Sequence, residues 1–115
     1  MTTYFVAQWS VPADRLAEHD AALTRLLAHT RGHAAIRSFQ VLRQRWGPLP
    51  RHGYLWVEEY DSLDALDRDS RPPACTCVEQ WAPIHALAVE GTFRAGVWTN
   101  PLDDEAAIEA ARPSG

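Results

Sequence analysis

Two apolar rhythms alternate along residues 1–100, and their order constrains the fold more than any other feature of the sequence. Thr3 to Val11 has a two-residue period: Phe5, Ala7, Trp9 and Val11 share one face, and Tyr4, Val6, Gln8 and Ser10 share the other. Pro12 suits a helix start. From Asp14 to about Thr30 the period lengthens, with Leu16, Leu23, Leu26, Leu27 and Thr30 at three- and four-residue steps. Asp14 and Glu18 lie early and His29 and Arg31 late, as the helix dipole favours, and Gly32 is a natural stop. Ile36 to Trp46 returns to the short period. Gly47-Pro48-Leu49-Pro50 reads as a turn, and His52 to Tyr60 reads as a third strand, so an antiparallel hairpin is expected. Ser62 caps a short helix through Leu63-Asp64-Ala65-Leu66, and Pro72-Pro73 interrupts it. A second helical piece runs from about Ala74 to Val89, with Pro83 expected to kink or restart it. Gly91 to Thr99 is a fourth strand.

The order β-α-β-β-α-β implies an α+β, ferredoxin-like arrangement: a four-stranded antiparallel sheet with its helices on one face. Residues 1–100 form this one domain, and residues 101–115 form an acidic tail. Apolar and aromatic residues lie on both strand faces, so the face without helices needs a cover. A second copy of the chain is the simplest one, which makes a homodimer the expected assembly.

Composition narrows the chemistry. The net charge is −4, a poor match for nucleic acid. No apolar run reaches the ~20 residues of a membrane helix, and the start lacks the pattern of a signal peptide. All 11 basic residues are Arg. Without lysine there is no Schiff-base chemistry and no P-loop lysine. Cys75 and Cys77 are too close for an unstrained disulfide, and a cytoplasmic location is the expectation. They could bind metal only with further ligands, and no second cysteine pair exists. Neither a metal nor a cofactor is expected.

The candidate site residues follow from side-chain chemistry. His85 shares a helix side with Val78, Trp81 and Ala88, where it could act as general acid or base or be satisfied as a core histidine. Tyr54 and Tyr60 could donate hydrogen bonds to a substrate. Tyr60 with Glu58 could set a phenol beside a carboxylate at a pocket mouth, or form a solvated strand end. Phe5, Trp9, Trp56 and Trp81 could wall a pocket for a planar substrate, or be plain core. His52, at the start of a strand, is a further candidate for substrate binding.

The stretch Gly53-Tyr54-Leu55-Trp56-Val57-Glu58-Glu59-Tyr60-Asp61-Ser62-Leu63-Asp64-Ala65-Leu66 resembles the third strand and following helix of the dimeric α+β barrel proteins. These include the antibiotic-biosynthesis monooxygenases, EthD-like proteins, haem-degrading monooxygenases and A/B-barrel cyclases. The resemblance covers about residues 3–100. It implies a homodimeric enzyme of secondary, polyketide-type metabolism. The substrate would be hydrophobic, aromatic or polycyclic, and the reaction cofactor-independent oxygenation, cyclisation or isomerisation. A non-catalytic ligand-binding barrel and a haem-handling barrel are the alternatives. Plant-type polyketide cyclases of this fold carry His-Pro-Ala-His, with a tyrosine nearby. Here Pro72-Pro73-Ala74-Cys75 stands at that place, with Cys75 for the catalytic His and Asp69 for the Tyr. Haem-degrading members use a first-strand Asn, and this first strand offers Gln8 and Trp9.

Overall fold

In the computed structural model, which describes residues 2–70, 77–103 and 109, the chain forms one four-stranded antiparallel sheet with three helices. The strands are β1 (Thr3–Ser10), β2 (Ile36–Arg43), β3 (Gly53–Tyr60) and β4 (Arg94–Thr99). The helices are α1 (Leu16–Arg31), α2 (Leu63–Asp69) and α3 (Cys77–Leu87). The sheet order is β2-β3-β1-β4, the ferredoxin-like order expected from the sequence. Pro72-Pro73-Ala74-Cys75, the expected helix start at Ala74 and most of the acidic tail lie outside the described residues.

Among the element boundaries that differ from the sequence expectation, three have a clear local reason. β2 ends at Arg43 rather than Trp46. The Gln44 side chain is bonded both ways to the Leu49 backbone (Nε2 to O, 2.9 Å; Oε1 from N–H, 3.1 Å), and this closes the β2–β3 loop. Trp46 is left 95% exposed at the loop tip. β3 begins at Gly53 rather than His52, because His52 has φ 59°, a left-handed conformation outside strand geometry. β4 begins at Arg94 rather than Gly91, because Gly91 (φ 78°) and the Thr92 N–H···O Val89 bond turn the chain first. Pro83 neither ends nor restarts α3, which runs through it. The carbonyl deprived of a donor belongs to Glu79, whose residue is exposed.

The core lies between the sheet and the α1–α3 layer. Ala7, Trp9, Tyr54 and Trp56 meet Ala22 and Leu26 of α1 and Ile84 of α3. Trp81 meets the rings of Phe5, Trp9, Trp56 and Phe93 at centroid distances of 5.1 to 6.0 Å, all edge-on. Hydrogen bonds to Ser10 hold the chain that leaves α3: Val89 N–H donates to its carbonyl (2.8 Å), and Thr92 Oγ1 accepts from its N–H (3.1 Å). That anchorage fixes α3 over β1 and positions the cavity described next.

Candidate active site

Strand periodicity puts Tyr54, Trp56, Glu58 and Tyr60 in one row on the helix-facing side of β3. All four are buried, including the charged residue Glu58 at 7% exposure. Trp56 Nε1–H donates to Glu58 Oε1 at 2.7 Å, and Tyr60 O–H donates to Oε2 at 2.8 Å. Burial pushes the Glu58 carboxyl above its ordinary range, and the two donors partly offset that shift. The Tyr60 phenol is pushed far up, first by burial and then by the neighbouring carboxylates of Glu58 and Asp69. Tyr60 therefore stays a hydrogen-bond donor at any ordinary pH, while Glu58 is the group whose protonation can change.

Glu58 and Tyr60 open onto a cavity of about 250 Å³, lined also by Phe5, Ser70, Val78, Trp81 and His85. Its walls are mainly apolar, so a carboxylate bordering it has little water to share its charge. His85 is exposed at the rim, its ring 3.7 Å from that of Phe93. Asp69, at the end of α2, stands beside the Tyr60 hydroxyl and adds to the rise of its pKa. Ser62 starts α2 by accepting the Ala65 N–H at 3.1 Å, which fixes the helix that delivers Asp69 and Ser70.

The cavity thus brings together His85, Tyr60, Phe5 and Trp81 from the sequence candidates. Trp56 does not line it and reaches it through Glu58. Trp9 is fully buried core behind it, stacked on Tyr54 at 5.8 Å. Tyr54 packs against His19 at 4.5 Å and lies away from the cavity. His52 is also outside it and pairs with Arg43 at 3.0 Å. Glu58 enters as the central group, marked in the sequence as the one charged residue within a buried aromatic row. Asp69, which stands at the place of the cyclase tyrosine in the sequence comparison, is bonded to His33 at 2.8 Å, a partner that sequence spacing does not reveal because it does not bring an α2 terminus to the loop after α1. Among the described residues, no cluster of three or more His, Cys, Asp or Glu side chains could hold a metal ion.

The sequence matches no protein-family model and no curated protein. Solved structures do match its fold. SnoaB, a cofactor-independent oxygenase from Streptomyces nogalater, superposes with a TM-score of 0.66 at 20% identity, over 86% of this chain and 92% of that one. An EthD family protein from Bacillus halodurans gives 0.68 at 16% identity, over 87% and 99%. A candidate antibiotic biosynthesis monooxygenase from Caulobacter crescentus gives 0.68 at 18%, over 86% and 89%. At these identities the likeness establishes architecture: the chain shares the α+β fold of these structures.

Proposed function

We propose that the protein is a cofactor-independent enzyme that moves a proton on a small hydrophobic aromatic substrate of polyketide type, with oxygenation as the reaction. The observation that carries this reading is Glu58: a buried carboxyl, held by two donors, at the wall of an apolar cavity. A carboxylate kept out of water is a stronger base than one in solution. It can take the proton of a phenol or an enol. Trp56 and Tyr60 keep it oriented for that transfer, Phe5 and Trp81 wall the ring, and His85 at the rim exchanges a second proton. The volume suits one or two fused rings, since a cavity of about 150 Å³ already accepts benzene. The likeness to SnoaB supports oxygenation over cyclisation or isomerisation.

In this reaction the deprotonated substrate passes one electron to dioxygen, and the radical pair joins as a peroxide with a new C–O bond. Loss of water, using the remaining C–H proton, leaves a carbonyl. A CH₂ group thus becomes C=O, and dioxygen ends as the carbonyl oxygen and water, with all four electrons from the substrate. The test is oxygen uptake with one- and two-ring phenols and enolisable ketones under labelled dioxygen. One labelled oxygen atom in the product supports the proposal. A product of unchanged mass moves the reaction to isomerisation or cyclisation, and no turnover across the panel overturns it. Glu58→Gln and His85→Ala should each lower kcat by about 10²–10⁴-fold, the usual worth of a general acid or base. Full activity in either removes that residue from the mechanism.

The homodimer belongs to the same proposal. The outer sheet face carries Tyr4, Val6, Leu55 and Val57, with Leu42 47% and Trp98 63% exposed in the single chain. A patch of this kind across the sheet suits a self-complementary interface.

A further inference from the structure

The polar chain that begins at Glu58 does not stop at Tyr60. The Tyr60 hydroxyl, which donates to Glu58, stands beside the Asp69 carboxylate; Asp69 Oδ2 lies 2.8 Å from His33 Nδ1, and His33 Nε2 lies 3.0 Å from His29 Nε2. His33 and Asp69 are nearly covered, with side chains 9% and 14% exposed. His29, in the last turn of α1, is half-buried and stands at the outer end of the series. Four elements therefore converge on one line of polar side chains: β3, the end of α2, the loop after α1, and α1 itself. The cavity and His85 lie at its inner end.

We infer that Glu58, Tyr60, Asp69, His33 and His29 form a proton relay joining the cavity to the protein surface. The inference rests on Glu58 being the proton acceptor, and adds where that proton goes. Each member can both accept and donate a proton, a requirement that an ordinary salt bridge does not meet. In the outward direction the Glu58 proton passes to the Tyr60 oxygen while the Tyr60 proton passes to Asp69. Asp69 then protonates His33, and His33 hands its other ring proton to His29. Each step breaks one O–H or N–H bond and forms another. One proton leaves Glu58, one arrives at His29, and every group between ends with the number it began with. The bonds are left reversed, set for an inward transfer that returns a proton to Glu58. A bound aromatic substrate can then fill the mouth of the cavity without trapping the proton it gave up.

The experiment needs no substrate. Ring-nitrogen NMR shifts of His29 and His33 are followed against pH in the wild type, in Glu58→Gln and in Tyr60→Phe, with the remote His19 as control. A connected relay predicts that the His33 shifts carry a step at the Glu58 titration and that Glu58→Gln removes it. Tyr60→Phe keeps the Glu58 charge but breaks the line of bonds, so it should also remove the step or shrink it to less than about half. Asp69→Asn gives the same reading if Tyr60→Phe does not fold. A step unchanged in these variants means charge acting through space alone, and overturns the relay, as does a wild type with no step. A protein that oxidises phenols yet lacks the step keeps the proposed function and loses the relay.

Discussion

Two buried titratable side chains pull this fold in opposite directions with pH. Burial raises the folded-state pKa of Glu58 above 4.5. The stability tied to its proton is therefore complete below that value and is lost as pH rises through the folded pKa. His19 is fully buried and accepts the Trp9 indole N–H at 2.9 Å, with Asp20 3.2 Å from its other ring nitrogen. Burial lowers its pKa from 6.5, and Asp20 only partly offsets that. The unfolded chain then binds the proton more readily, so stability falls as pH drops below 6.5. Urea midpoints measured between about pH 4 and 8 should show both slopes. Glu58→Gln should remove the loss of stability that comes with rising pH and His19→Gln the loss that comes with falling pH, and unchanged profiles would contradict the assignment. His19→Ala should cost about 1–3 kcal/mol for the orphaned indole N–H, more with the cavity it leaves, read from chemical denaturation. Glu58 was legible as a charge among Tyr54, Trp56 and Tyr60 on one strand face. His19 sits within the α1 stripe at the spacing of Leu16, Leu23 and Leu26, yet a histidine there reads as polar surface until Trp9 is seen opposite it.

At the scale of elements, the sequence carries the two-residue and 3.6-residue periods well and the ends of elements poorly. All four strands, α1 and α3 follow from those periods. The exceptions were set by single backbone conformations at His52 and Gly91, and by the Gln44–Leu49 clasp, none of which leaves a periodic trace. The candidate site depends on α2, only seven residues long, which holds Asp69 against Tyr60. A helix this short owes much to its cap. Ser62→Ala should cost about 1 kcal/mol. It should also speed amide exchange across α2 while β1 and β3 stay protected. Uniform exchange across the chain would mean that α2 is not a separate unit.

At the scale of the whole molecule, the sheet divides the protein into a sealed side and an open one. The helix-covered side holds the aromatic core and the cavity, and its character was legible from the inward row of each strand. The pocket itself was not, because it needs α2, α3 and β3 together, and their relative placement is a tertiary property. The outer side leaves Tyr4, Val6, Leu55 and Val57 partly exposed in a single chain. Light scattering at micromolar concentration should therefore give twice the 12.9 kDa chain mass. Val57→Arg, at the middle of that face, should give the chain mass with the fold intact. A wild-type monomer would contradict the proposed assembly.

The central claim is that Glu58 is the proton-accepting group of a ligand cavity, and its own titration tests that most directly. With ¹³C-labelled glutamate and Glu58→Gln for assignment, the Glu58 carboxyl resonance is followed against pH with and without 2-naphthol as a phenolic probe. The account predicts a midpoint above 4.5 in the free protein and a resonance that moves when the phenol binds. A midpoint at or below 4.5, unaffected by the phenol, would contradict it.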